Sequence, residues 1–160
     1  AARQLRQRGV KARFVLVGEP DEGNPASVPE LQLAAWKNEG VVEWWGRRED
    51  MPRVYAQSHI VCLPSYREGL PKTLLEAASC ARPIVTTDVP GCRDVVRDGD
   101  NGLLVEARNA TALANALARL LADPELRLRM GQRGRELVLD KFSQERIVGQ
   151  VLALYRGVLS

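Results

Sequence analysis

The sequence has few of the residues that mark several classes of protein. Its three cysteines, Cys62, Cys80 and Cys92, show no C-x-x-C spacing, which disfavours a zinc site and a disulfide framework. Aromatic residues make up 5% of the chain and are not interleaved with basic ones, so nucleic-acid binding is not supported despite a formal charge of +3. No apolar run approaches the roughly 18–20 residues of a membrane span. We expect a soluble protein of the reducing cytoplasm.

Apolar runs and helical segments alternate along the rest of the chain. The 160 residues are 45% hydrophobic and 27% charged, as in one globular domain with its own core. Successive parallel strands require crossover helices, so the pattern predicts a doubly wound parallel α/β sheet of about five strands. Strands are predicted in "RFVLVG", "VVEWW", "HIVCLP", "RPIVTTD" and "GLLVE", and C-terminal helices over 110–122, 124–140 and 144–158. In "SVPELQLAAWKNEG", Ser27 and Glu30 predict a capping box.

The loop after the third predicted strand, in "REGLPKTLLEAASC", carries the strongest signal for a ligand. In open α/β sheets, ligands bind beyond the carboxyl ends of the strands. Pro71 suits the first helical position, but Leu70 before it has no side-chain acceptor for a cap. The N–H groups of Lys72, Thr73 and Leu74 are then free for an external anion such as phosphate. Gly69 would allow the backbone to approach it closely.

Two carboxylates, Glu68 and Glu76, flank this predicted helix start with seven residues between them. The side chain of Glu76 should lean toward the first turn of the helix. A carboxylate there can accept hydrogen bonds from sugar hydroxyls, so the combination suits a sugar diphosphate. On spacing alone the simpler interpretation is favoured: Lys72 and Glu76 form an i,i+4 surface pair, and Glu68 is a solvated loop residue.

The segment "SYREGLPKTLLEAASCARPIVTTDVPGCRDVVRDGDNGLLV" resembles the donor-binding core of the family-4 retaining glycosyltransferases, which have the GT-B fold. The family's E-x7-E signature matches Glu68 and Glu76, with "GLP" in its expected place. The similarity extends from "FVLVGEP" to "PELRLRMGQRGRELVLDKFSQERI" and the last helix. "EGLPKTLLEA" is most similar to bacterial enzymes of surface polysaccharide biosynthesis, such as O-antigen (lipopolysaccharide) and capsule transferases.

The resemblance implies a role for each matching position. Glu68 would be the catalytic carboxylate that faces the donor sugar and steadies positive charge at its anomeric carbon, and Glu76 would bind the ribose hydroxyls. A UDP-sugar is the expected donor, with no cofactor and no metal. The implied donor-binding positions are Gly18, Gly46, Arg47, Arg48, Gly69, Leu70, Pro71, Lys72, Thr73, Leu74 and Glu76, of which Gly46 to Arg48 form the base-contacting loop.

Departures from the family pattern limit what residues 1–160 are expected to do. "GEP" replaces the family's Gly-x-Gly after the first predicted strand. The family's acceptor-binding N-terminal domain, the first strand of its C-terminal domain and the Arg/Lys pair that clamps the diphosphate have no match. We expect a donor-binding C-terminal domain that is inactive alone. The full enzyme would transfer sugar to a glycan or lipid-linked acceptor, with at most peripheral membrane association.

Other residues and functions have weaker support in the sequence. His59, Trp44, Trp45, Asp88 and Asp94 are expected to be structural, with at least one of the tryptophans in the core, and "DGDNG" to be a turn rather than a calcium loop. The first alternative is a non-catalytic flavodoxin-like module that binds a partner protein. The second is part of a GT-B nucleotide-sugar epimerase.

Overall fold

The computed structural model describes residues 1–21, 23–24 and 27–159. The described elements in chain order are α1 (Ala2–Gln7), β1 (Val15–Leu16), α2 (Glu30–Asn38), β2 (Glu43–Trp44), α3 (Met51–Ala56), β3 (Val61–Leu63), α4 (Lys72–Ser79), β4 (Ile84–Thr87), α5 (Pro90–Val95), β5 (Gly102–Val105), α6 (Ala110–Ala122), α7 (Pro124–Phe142) and α8 (Gln144–Leu159). None of these described helices is both long and apolar enough to cross a membrane.

The strands pair in parallel, as the alternation of strands and helices predicts. They are divided between two sheets: β1 pairs with β2, and β3, β4 and β5 are neighbours in that order. No described strand of one sheet is hydrogen-bonded to a strand of the other. Because every strand is parallel, the strands of each sheet end at a common edge, and the loops that follow them lie there.

The core has one cluster on each face of the three-stranded sheet. Neighbouring residues of a strand point to opposite faces, and in β4 Ile84 packs with Leu74 of α4 while Val85 packs with Leu5 and Leu120. All four residues of β4 are buried. This burial makes β4 and α4 the best-packed elements next to the loop that carries Glu68.

Two helices begin later than the sequence suggests. Pro29 is the N-cap of α2 and makes no side-chain capping bond, so the predicted capping box is wrong. Ser27 lies too far upstream, and its hydroxyl instead accepts a hydrogen bond from the N–H of Asp21 at 2.7 Å. Likewise Pro71 is the N-cap of α4 rather than its first helical residue.

Cys62 is exposed, although it lies in an apolar strand. It lies on β3, an edge strand of its sheet, opposite the fully buried Val85. The cluster on that face covers β4 but leaves the edge strand partly open, which the sequence of β3 alone could not indicate.

Candidate functional site

The start of α4 provides unpaired backbone donors, as the sequence predicts, but fewer of them. The N–H of Leu74 donates to the carbonyl of Pro71 at 3.0 Å, so it is not free. Within the described part of the chain, the N–H groups of Lys72 and Thr73 have no acceptor. These two donors stand at the positive end of the helix dipole, where an anion is favoured.

Glu68 is anchored rather than free in solvent. The Ser65 hydroxyl donates to its carboxylate, with Oγ and Oε1 at 2.5 Å. The carbonyl of Ser65 in turn accepts from the Thr87 hydroxyl, and the Thr86 hydroxyl donates to the carbonyl of Leu63 at 2.7 Å. Both threonines are almost completely buried. The buried end of β4 therefore holds the loop that presents Glu68.

Gly91 in the first turn of α5 packs directly against the same loop. A Cβ atom at this position would lie 2.0 Å from the carbonyl oxygen of Gly69 and 2.6 Å from that of Glu68. Only glycine permits this approach of backbone to backbone. Gly69 itself is exposed, and a Cβ added there would meet nothing within 4 Å, so its outer side is open to a ligand.

Glu76 is held on both of its carboxylate oxygens. The Tyr55 phenol donates to Oε2 at 3.0 Å, and Lys72 Nζ lies 3.4 Å from Oε1. The i,i+4 pair of the simpler interpretation is thus present, but Lys72 is 87% exposed and the pair contributes little to stability. The Tyr55 contact is different because Tyr55 is buried. Burial is the larger cause and the hydrogen bond to Glu76 the smaller cause of a raised pKa of the phenol. Tyr55 therefore keeps its proton and donates it in a hydrogen bond.

Gly18 and Gly46 lie together at the ends of β1 and β2. The N–H of Gly18 donates to the carbonyl of Gly46 at 2.9 Å, and Trp44 Nε1 donates to the carbonyl of Gly18 at 2.9 Å. Their φ angles of 133° and 67° favour glycine. A cleft of about 670 Å³ opens beside them, lined by Glu19, Pro20, Asp21, Asn24, Ser27, Pro29, Glu30, Trp44 and Gly46.

The two arginines of the predicted base-contacting loop, Arg47 and Arg48, are exposed. The Arg48 guanidinium lies 5.7 Å from the ring centre of Trp45, a cation–π distance. Trp44 and Trp45 are both only partly buried, so the expectation that one of them belongs to the core is wrong. The β1–β2 sheet is too small to cover either ring.

The structure thus assembles the predicted residues in two groups. Glu68 to Glu76 lie beside the three-stranded sheet, whereas Gly18 and Gly46 to Arg48 lie beside the two-stranded sheet. Sequence reasoning missed the supporting residues Tyr55, Ser65, Thr86, Thr87 and Gly91, and the Arg108 guanidinium 5.1 Å from the ring centre of Tyr66. The polar pair in "IVTTD" was a usable signal, because threonines are unusual at the end of a buried strand. Tyr55 left no comparable signal.

The residues that ranked lower have the following places. His59 is exposed, and Asp88 pairs with Arg93 at 2.5 Å. In "DGDNG", Gly99 has a φ of 75°, and the Asp98 carboxylate accepts from the N–H of Leu104, as in a turn. No group of three or more metal-ligating side chains occurs among the described residues.

Comparison with known families decides what kind of protein has this arrangement. Residues 1–123 match the model described as "Glycosyl transferases group 1". The chain belongs to this family. The family match covers both groups of candidate residues and most of the described fold, so the resemblance noted from the E-x7-E motif is confirmed.

Curated bacterial relatives of this group 1 domain are named for sugar transfer. It is 34% identical over 149 residues to the N,N'-diacetylbacillosaminyl-diphospho-undecaprenol alpha-1,3-N-acetylgalactosaminyltransferase of Campylobacter jejuni, covering 93% of the domain and 38% of the relative. It is 36% identical over 153 residues to the N-acetyl-alpha-D-glucosaminyl L-malate synthase of Bacillus anthracis. This match covers 94% of the domain and 39% of the relative. The chain therefore spans well under half the length of these relatives.

Solved structures of similar fold include GT-B enzymes. The group 1 domain superposes on sucrose-phosphate synthase from Thermosynechococcus elongatus with a TM-score of 0.81 and 31% identity, over 92% of the domain and 38% of that chain. It superposes on Anabaena HepE in complex with UDP with a TM-score of 0.82 and 24% identity. This superposition covers 91% of the domain and 41% of the HepE chain. At 24% identity the second likeness concerns the fold alone. The predicted fold class is confirmed.

Proposed function

We propose that this chain is the donor-binding domain of a retaining glycosyltransferase that takes its sugar from a nucleotide diphosphate. One observation carries the proposal: free N–H groups at the start of α4 lie between two anchored carboxylates, Glu68 and Glu76. The N–H groups of Lys72 and Thr73 suit the diphosphate. The carboxylates suit the hydroxyl groups on either side of it. A flavodoxin-like protein-binding module would need neither feature.

The two carboxylates would have different partners. Glu76 would accept hydrogen bonds from the ribose, and Glu68 would face the transferred sugar, where its charge favours the positive charge that develops at the anomeric carbon. Gly18, Gly46, Arg47 and Arg48 would contact the nucleotide from the other sheet. The exposed Leu70 would lie along the donor, next to the buried Pro71. Metal is not required in this scheme, because the helix dipole and cationic side chains offset the charge of the leaving diphosphate.

The remainder of such an enzyme would supply the acceptor site. This is supported by the coverage of the curated relatives, because the chain spans only 38% and 39% of two of them. The names of both relatives support an N-acetylhexosamine as the transferred sugar, and the Campylobacter jejuni name supports a lipid-linked acceptor. Activation of that sugar by UDP, and a role in bacterial surface polysaccharide synthesis, follow from the resemblance of the E-x7-E segment. The complete enzyme would work in the cytoplasm, at most peripherally on the inner membrane face.

The proposal is tested by following backbone amides in NMR spectra while UDP, GDP, ADP or UDP-N-acetylglucosamine is added. We expect saturable shifts at Lys72, Thr73 and Gly46, largest for the preferred base. Glu76→Ala should weaken binding about tenfold, because a hydrogen bond to a charged group is lost. Glu125→Ala is the matched control, since Glu125 is an exposed residue in the first turn of α7.

Two results would contradict the proposal. The first is the absence of saturable shifts with every nucleotide at millimolar concentration. The second is an equal effect of Glu76→Ala and Glu125→Ala on affinity, which would show that the carboxylate beside α4 does not contact the ligand.

A further inference from the structure

We propose that Tyr55 is a positioning residue that orients the Glu76 carboxylate and so makes the site select ribonucleotides over 2′-deoxyribonucleotides. The inference rests on the proposed function and deepens it. Tyr55 lies on α3, outside the E-x7-E segment, and is 3% exposed. Its side chain reaches Glu76 on α4, so the contact depends on the fold rather than on sequence spacing.

The phenol is a committed donor to one carboxylate oxygen. Tyr55 Oη lies 3.0 Å from Glu76 Oε2, and the pKa of the phenol is raised by burial and by this hydrogen bond. The proton therefore stays on the phenol throughout the usable pH range. The phenol thus joins α3 to α4 through Glu76.

This contact restricts how Glu76 can meet a ligand. A glutamate side chain on a helix surface has several rotamers, and ordering it costs free energy. Tyr55 holds Oε2 from the protein side, while the Glu76 side chain remains 35% exposed, with Oε1 near Lys72. An ionised carboxylate accepts hydrogen bonds on both oxygens. The free acceptor positions are then already aimed outward before any ligand arrives.

A preoriented carboxylate suits the adjacent 2′- and 3′-hydroxyls of ribose. Removing the 2′-hydroxyl takes away one hydrogen bond to a charged acceptor, which corresponds to a loss of about tenfold or more in affinity. Without Tyr55 the carboxylate would have to be ordered during binding, and part of this discrimination would be lost. The effect should fall on ribonucleotides, because 2′-deoxyribonucleotides depend less on Glu76.

Tyr55→Phe separates positioning from packing. The Tyr55 ring belongs to the core cluster that contains Leu74 and Ala77, and phenylalanine keeps that ring while removing only Oη. Tyr155→Phe is the matched control, because Tyr155 is 60% exposed on α8. Amide spectra of each variant test whether the fold is kept.

The experiment measures the dissociation constants of UDP and 2′-deoxy-UDP for the wild type, Tyr55→Phe, Tyr155→Phe and Glu76→Ala. We expect the wild type and Tyr155→Phe to prefer UDP by about tenfold. Tyr55→Phe should lower this preference to about twofold to threefold with little change for 2′-deoxy-UDP, and Glu76→Ala should abolish it.

The outcomes distinguish this inference from the proposed function. A preference kept in Tyr55→Phe, or equal losses for both nucleotides, would overturn the role of Tyr55 while the donor site stands. A wild type that binds neither nucleotide would overturn the proposed function and the inference with it. A wild type that binds both equally would overturn the contact between Glu76 and ribose.

Discussion

The two sheets support their parts of the candidate site in different ways. In the three-stranded sheet, every residue of β4 is buried and two hydrophobic clusters cover its faces. In the two-stranded sheet, each strand has two residues, and all four are only partly buried. Glu68 and Glu76 thus stand beside a packed core, whereas Gly46 to Arg48 stand beside a thin edge.

The difference fits a donor site in which the carboxylates are held rigidly and the base-contacting loop is held less rigidly. Carboxylates that contact the ribose and the transferred sugar need fixed positions, because hydrogen-bond geometry and charge placement decide their effect. A loop that contacts a base can tolerate more adjustment. Three predictions test the contrast between the sheets, from the largest expected effect to the smallest.

Truncating one apolar strand residue in each sheet should show the contrast in stability. Ile84→Ala removes a fully buried side chain from β4 and should lower the free energy of unfolding by about 2–5 kcal/mol. Leu16→Ala in β1 should cost about 1 kcal/mol, because the side chain is only partly buried. Urea unfolding measures both. Equal losses would show that the two sheets are equally well packed.

Adding a methyl group behind the Glu68 loop should affect stability and binding together. Gly91→Ala places Cβ against the carbonyls of Gly69 and Glu68, and we expect a loss of about 1–3 kcal/mol with weaker nucleotide binding. Gly149→Ala is the control, because its Cβ would meet nothing within 4 Å on α8 and alanine favours a helix by up to about 1 kcal/mol. A Gly91→Ala variant as stable as Gly149→Ala would contradict this packing.

An ion pair in the smaller sheet should give a small dependence of stability on acid pH. Hydrogen bonds from the Arg13 guanidinium and then the Trp45 indole lower the pKa of Glu43 to about 2. A carboxyl group whose pKa is lowered on folding stabilises the fold above its unfolded pKa, about 4.3. This contribution is lost as the pH falls toward 2. Both side chains are exposed, so solvent screens the effect.

Urea unfolding at pH 7 and at pH 2 tests this ion pair. Arg13→Gln should be slightly less stable than the wild type at pH 7, and the difference should shrink at pH 2. Arg119→Gln, at an exposed position of α6, is the control and should show no such trend. A difference for Arg13→Gln that grows toward pH 2 would contradict the assigned pKa.

Much of the fold could be predicted because local patterns are sufficient for it. The apolar run after Pro83 predicts β4. The start of α7 fits the preference for an acidic N-cap followed by proline, since Asp123 is its N-cap and Pro124 its first residue. Cap positions such as Ser27 were less predictable, because several residues before a helix can satisfy the same rule. The N-cap of α2 is Pro29 rather than Ser27, so the helix begins two residues later than the capping box predicts.

The candidate site shows the same limit more sharply. Glu68, Glu76 and the uncapped start of α4 follow from one continuous segment, where spacing and residue type are visible in the sequence. Tyr55, by contrast, lies 21 residues before its partner Glu76 in the chain. Gly91 lies 23 residues after Glu68, whose carbonyl it packs against. Their contacts depend on how α3 and α5 pack beside α4, which no local pattern encodes.

The sequence by itself determined the parallel α/β class, the family and the two carboxylates, because each is encoded in neighbouring residues. Only the tertiary structure decided how these carboxylates are held. It brought the Tyr55 phenol to Glu76, the β4 threonines to the Glu68 loop, and the backbone of α5 against Gly69. Such contacts join residues distant in the chain, so they exist only after the core has fixed where each helix and strand lies.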